Sequence, residues 1–123
     1  MALIELGDVQ ARFADIVWAN APVPSGELVR ICERELNWKK PTTYTVLRKL
    51  CEKGLFENSD GLVKVLITRE AFYSEKSERF VEESFSGSLP AFIAAFTSRK
   101  PLTDAEADEI MQMIEAFRKE RQK

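Results

Sequence analysis

The chain contains no histidine. That removes the side chain most often used as a general base near neutral pH, and also the commonest metal ligand. Carboxylate clusters such as Glu82-Glu83 and Asp108-Glu109 have no partner constellation around them and read as solvating charges on helix surfaces. No hydrolytic or transfer enzyme, no cofactor and no bound metal is therefore expected. Cysteine is scarce: Cys32 and Cys51 both fall in helical patterns, at a spacing that matches neither a metal knuckle nor a redox motif. Both read as small core residues. Long apolar runs are also missing, since a stretch such as Leu89 to Phe96 is far shorter than the ~20 residues of a membrane span. Met1-Ala2-Leu3-Ile4 runs straight into Glu5 without the basic and apolar regions of a signal peptide. A cytoplasmic location with no stable membrane insertion is the expectation.

With 123 residues, the chain has room for one small domain plus a helical extension. Its net charge of −2 argues at first against a nucleic-acid partner, but distribution matters more than the total. Arg30 to Lys53 holds seven lysines and arginines against three glutamates, whereas Ala71 to Lys123 holds eight cations against ten carboxylates. A basic patch backed by an acidic remainder can hold phosphates on one side and avoid them elsewhere. A plainly solvated charged face explains the same counts.

The patch contains the most informative segment, Asn37 to Phe56. Stepping its residues at about 100° each puts Thr43, Val46, Leu47 and Leu50 on one stripe. Tyr44, Thr45 and Arg48 fall on the opposite side, with Lys49 on its flank. Pro41 suits the first turn of such a helix and Gly54 the residue just past its end. A helix from Pro41 to Lys53 with an apolar back and a Thr/Tyr/Arg/Lys front is what a DNA-recognition helix needs.

Two helices precede it. Asp8 can cap a first one running to about Ala19, with Val9, Phe13, Ile16 and Val17 on one stripe. Ala21-Pro22-Val23-Pro24 is a breaker, and Ser25 can then cap a second helix through Leu36 that buries Leu28, Ile31 and Cys32. After the third helix, Leu55–Glu57 and Leu62–Ile67 are short β-prone runs joined by Asn58-Ser59-Asp60-Gly61, a hairpin signal. The expected fold is mainly α with a small β-hairpin wing: a winged helix-turn-helix over residues 1–68, then a C-terminal helical dimerisation region over 69–123. In that region Arg69 to Phe85 reads as a helix with Phe72, Val81 and Phe85 as contact residues. Gly87-Ser88 interrupts it, and Leu89, Phe92, Ile93 and Phe96 then recur at helical spacing. Thr103 with Glu106 makes a capping box before a last stripe of Ile110, Met113, Ile114 and Phe117. Three such helices are too few for an independent core and suit packing against a second copy, although an intramolecular bundle would show the same spacing.

Trp18, Trp38, Thr42, Thr45, Leu50 and Lys53-Gly54, with Tyr44-Thr45-Val46-Leu47, resemble the penicillinase-repressor family of winged-helix regulators. Phe85-x-Gly87-Ser88-Leu89, followed by Phe92 and Ala95-Phe96, is similar to that family's dimerisation helix. The resemblance covers almost the whole chain and implies a homodimeric repressor on a roughly palindromic double-stranded operator. It also implies release in antibiotic-responsive members through a membrane-bound sensor metallopeptidase system that triggers cutting within the dimerisation helix. The matching bond here is Ala95–Phe96, where the family often has Asn before the bond. Copper-responsive relatives carry a Cys-rich tail, which Thr103 to Lys123 lacks. The wing also has Leu62-Val63-Lys64-Val65-Leu66 in place of the usual aromatic run.

On this reading Arg48 can pair bidentately with guanine, Thr42 and Thr45 can donate or accept, and Tyr44 can touch a thymine methyl. Lys39, Lys40, Lys49 and Lys53 suit phosphates, as do Lys64 on the wing and Ser25 with the first turn of the second helix. Leu89, Phe92, Ile93 and Phe96 form the expected dimer seam, supported by Ile110, Met113, Ile114 and Phe117. The alternative function is a winged helix used only for protein–protein contact, which would show exposed apolar residues on the outer face of the third helix.

Overall fold

A computed structural model gives the structure over residues 4–122. Residues 1–3, part of the N-terminal run discussed above, and residue 123 lie outside the described residues. Among the described residues, six helices and three short strands follow in the order α1 (Asp8–Asn20), β1 (Val23–Pro24), α2 (Ser25–Leu36), α3 (Lys40–Glu52), β2 (Phe56–Ser59), β3 (Leu62–Val65), α4 (Arg69–Phe85), α5 (Leu89–Arg99) and α6 (Asp104–Arg121). This is the expected mainly helical winged helix followed by further helices. The chain divides into two compact units, one up to Lys76 and one from Ser77.

In the first unit the apolar stripes converge on one core. Phe13 and Val17 of α1, Leu28 and Cys32 of α2, Leu47 and Leu50 of α3, and Leu55, Phe56 and Val63 of the hairpin region are all buried. Each large apolar side chain removed from water contributes about 1.5–3 kcal/mol. Val9, expected on the inner stripe of α1, is instead 56% exposed: the core contact of α1 begins one turn later, at Phe13. The helix also starts from Gly7 rather than from Asp8, whose charge falls in the first turn, where the helix dipole favours an anion.

The link between α2 and α3 is tightly specified. Asn37 takes a left-handed conformation with φ 56°, and the Trp38 N–H donates to Cys32 O at 3.2 Å, closing the end of α2. The Trp38 ring stacks on Phe13 with centroids 5.6 Å apart, which fastens this turn to α1. At the far end of α3, Gly54 has φ 89°, and the Leu55 N–H reaches back to Leu50 O at 3.1 Å. The chain thus turns sharply into β2.

Asp60 and Gly61 form a two-residue hairpin loop between the paired Ser59 and Leu62. Both have positive φ, 50° and 83°, as a type I′ turn requires; this is the Asp-Gly signal realised. The segment read as a breaker contributes a third strand. Val23, buried, pairs antiparallel with Val63, so the sheet order is β1-β3-β2 with Pro24 on an edge. An edge strand tolerates the proline because no neighbour needs its missing N–H. Trp18 packs edge-on to Phe56 and donates its indole N–H to Ile67 O at 3.0 Å, so the half-buried ring leaves no orphan donor.

The second unit is built differently. Ser88 caps α5 by accepting from the Ala91 N–H at 3.1 Å. Thr103 and Glu106 form the expected capping box, with both bonds at 3.0 Å. The Thr103 amide and then its hydroxyl hold the Glu106 carboxyl below the usual glutamate range. Phe80, Phe85 and Phe92 make a triangle of edge-on rings with centroids 5.6 to 6.0 Å apart. No residue described between Ser77 and Gln122 is buried.

One polar group interrupts the first core. Thr43 is buried on the inner face of α3, and its Oγ1 has no conventional hydrogen-bond partner; the Cys32 thiol is the polar group beside it. A hydroxyl buried without a partner costs stability, and its replacement by a methyl of similar shape removes that cost. Thr43→Val should therefore raise stability by about 1 kcal/mol in chemical denaturation. A drop in the denaturation midpoint would show that the hydroxyl is bonded after all.

Candidate nucleic-acid interface

Burial of Leu47 and Leu50 fixes which side of α3 faces outward. Thr42, Thr45, Arg48 and Lys49 are all exposed, as are Lys39 and Lys40 at the start of the helix. No large apolar residue is exposed on α3. A groove between α3 and β2 is lined by Tyr44, Thr45, Leu47, Arg48, Cys51 and Asn58. Asn58 was not among the residues expected there. Its side chain is held by the Gly61 N–H at 3.1 Å, and only the folding of the hairpin back along α3 brings it beside Arg48.

Not all candidate groups are equally available. The Thr45 hydroxyl donates to Pro41 O at 2.9 Å, so its donor is engaged while its lone pairs and methyl remain open. Tyr44 is half-buried and donates its hydroxyl to Ser25 Oγ at 3.1 Å. Ser25 is the first residue of α2 rather than its cap, which is Pro24, and its N–H is taken by Gly61 O at 2.7 Å. Any anion at this helix start would therefore meet Ser25 Oγ and later amides. Lys53 is directed at the N-terminal segment, with Nζ on Glu5 O at 2.6 Å and Gln10 Oε1 at 3.1 Å.

The local basic charge is correspondingly redistributed. Arg34 pairs with Glu35 at 3.5 Å and the Lys53 ammonium is taken by Glu5 O and Gln10, which leaves Arg30, Lys39, Lys40, Arg48 and Lys49 as the cations of this region with neither an ion pair nor a hydrogen-bonded head group among the described residues. Lys64 is exposed on β3 directly opposite Glu57, and opposed residues of an antiparallel pair share a face. With Asp60 at the turn, the hairpin carries two carboxylates against one ammonium. Burial pushes the thiols of Cys32 and Cys51 up, and both are free cysteines.

In the second unit, Leu89, Ile93, Phe96, Met113, Ile114 and Phe117 are exposed, while Phe92 and Ile110 are half-buried. Phe80, not among the expected contact residues Phe72, Val81 and Phe85, is 51% exposed and edges against Phe92. The Ala95–Phe96 bond lies inside α5, and both residues are exposed. Among the described residues there is no helix long and apolar enough to cross a membrane, and no group of three or more metal-ligating side chains.

The family model for penicillinase repressors matches residues 6–116, spanning both units. The penicillinase repressor of Bacillus licheniformis is 23% identical over 115 residues, covering 90% of this chain and 90% of the relative. The chain belongs to the penicillinase repressor family of transcriptional regulators.

Proposed function

We propose that the protein is a homodimeric repressor that reads a dyad-symmetric operator with α3 and is released through its C-terminal helices. The outer face of α3 carries this reading: exposed Thr42, Thr45, Arg48 and Lys49 with no large apolar residue among them. A module for protein contact would offer an apolar patch there. Arg48 is the base reader, able to take the two acceptors of a guanine edge. Thr42 and Thr45 contact neighbouring bases, Thr45 through its lone pairs and methyl. Lys39, Lys40 and Lys49 hold phosphates and fix register without reading sequence. Lys64 and Ser25 lie further along the same side of the assignment, the former weakened by Glu57 opposite it.

The lack of a core in the second unit supports the dimer reading. Exposed Leu89, Ile93 and Phe96, with Ile114 and Phe117, lose water only against another surface, and a second copy supplies a self-complementary one. Phe92 and Ile110, half-buried already, and Met113 complete the seam. Tethering two reading heads makes the second half-site contact intramolecular and raises avidity by ~10²–10⁴. Separating the tails would then release DNA without touching α3. Cleavage at Ala95–Phe96 by a system under a membrane-bound sensor metallopeptidase would divide the seam between Ile93 and Phe96. Because the bond lies within α5, that helix must unwind locally before a protease can seat it. The two free cysteines suit a reducing cytoplasm.

Footprinting of the DNA upstream of the gene across a salt series should reveal two symmetric half-sites whose protection falls steeply as salt rises. Equal affinity for random duplex at every salt concentration would sink the repressor reading. Arg48→Ala should relax base preference at one position by about 1–3 kcal/mol, whereas Lys49→Ala should weaken all sequences alike. Identical effects from the two changes would contradict the division of roles. In sedimentation, Phe92→Asp should give a monomer where the unaltered chain is a dimer, and a persisting dimer would refute the seam.

A further inference from the structure

Ser25 is a junction of three elements. Its N–H, one of the first amides of α2 and so without an acceptor inside the helix, donates to Gly61 O in the hairpin turn at 2.7 Å. Its Oγ accepts from the Tyr44 hydroxyl on α3 at 3.1 Å. Gly61 is itself held, by a φ of 83° that suits glycine and by its own N–H on Asn58 Oδ1. Turn, start of α2 and α3 are thus linked through one serine.

We propose that Tyr44 is a positioning residue rather than a base reader, and that the Tyr44–Ser25–Gly61 chain sets the roll at which α3 presents Thr45 and Arg48. The inference rests on the DNA-binding reading above and replaces the thymine contact expected of Tyr44. Burial of Leu47 and Leu50 sets the axis of α3, but a stripe of aliphatic side chains leaves small rotations cheap, because dispersion contacts have no sharp direction. A hydrogen bond at the margin of that stripe is directional and lost within a few tenths of an ångström. Tyr44 stands at that margin, half-buried, with its hydroxyl donor engaged. Its ring also faces the Lys40 ammonium, 6.0 Å from the centroid, which couples the same side chain to a cation of the phosphate-holding set. The hairpin turn, with Asp60 and Glu57 close to it, is poorly charged for gripping phosphates; on this account it serves α3 as a brace.

The test is a double-mutant cycle on the full chain, with the duplex that the unaltered protein selects from a randomised library and a random duplex as probes. Tyr44→Phe and Ser25→Ala should each lower the ratio of selected to random affinity by about five-fold, the worth of one hydrogen bond. The double variant should show about the same five-fold loss, since both changes remove one bond. Ser25→Thr, which keeps a hydroxyl, should restore the ratio. A double loss near the product of the singles, about 25-fold, would mean two independent contacts with DNA and would overturn the proposal. Equal weakening on both duplexes, leaving the ratio unmoved, would leave these residues a role in fold stability or phosphate holding only and overturn it as well. An unaltered protein that selects no duplex removes the DNA reading and this inference together; intact selection with additive losses removes this inference alone.

Discussion

Leu47 and Leu50 must leave water, and helical geometry converts that single requirement into the orientation of everything else on α3. At about 100° per residue, a buried stripe through Thr43, Leu47 and Leu50 leaves Thr42, Thr45, Arg48 and Lys49 no direction but outward. The surrounding core makes the choice firm. Phe13 and Val17, Leu28, Phe56 and Val63 all pack into the same cluster, so rolling α3 by a third of a turn would expose leucines and bury an arginine. The cost of burying an unpaired guanidinium exceeds anything the rest of the helix could offset. The outward face of α3 is thus a by-product of core formation, and the proposed reading role needs only small polar and cationic residues at positions the core does not claim.

The second unit lives under the opposite condition. Its helices are well specified locally: Ser88 and the Thr103–Glu106 box fix two starts, and the Phe80–Phe85–Phe92 triangle holds a corner. Yet local specification does not bury surface, and no described residue beyond Lys76 is buried. If a second copy covers it, as proposed above, such a segment draws its stability from association, and so depends on concentration and on the integrity of its partner. On the dimer reading, that dependence is the regulatory asset. Reading heads with a core of their own stay folded while the tails that hold them together are the part most easily undone.

What the sequence made legible was whatever is encoded by neighbours along the chain. Helical spacing located the helices, Asp60-Gly61 located the hairpin, Gly54 the end of α3, and Thr103 with Glu106 the start of α6, because each signal is a backbone requirement met within a few residues. Contacts between distant residues were not legible. Val23–Pro24 looked like a breaker because its pairing partner, β3, lies far along the chain and a two-residue strand has no period of its own. Lys53 looked like a free cation because Glu5 and Gln10, which hold its ammonium, precede it by two whole helices. Ser25 looked like a cap, the usual role of a serine before a helical run, whereas Gly61 and Tyr44 claim its two polar groups. Val9 lies outside the core for a related reason: a stripe gives the phase of a helix but not where along it the neighbouring layer begins.

Charge brings these strands of the structure together. Summed over the segment, the basic excess looks diffuse, but Glu35 offsets Arg34 and Lys53 is turned to a backbone carbonyl. Apart from Arg30 on α2, what remains unpaired among the described residues gathers at the start and outer face of α3, in Lys39, Lys40, Arg48 and Lys49. The hairpin, which in a winged helix could share the work of holding phosphates, has Glu57 facing Lys64 and Asp60 at its turn. A phosphate approaching that turn would meet repulsion at short range, where screening is least effective. On the proposed function, affinity would therefore concentrate on α3, and with it the demand for accurate placement, since a bidentate arginine contact tolerates little angular error. On the proposed account the hairpin gives up direct contact and instead accepts the Ser25 N–H at the Gly61 carbonyl, holding the serine on which Tyr44 bonds, which answers that demand with groups the fold already has in place.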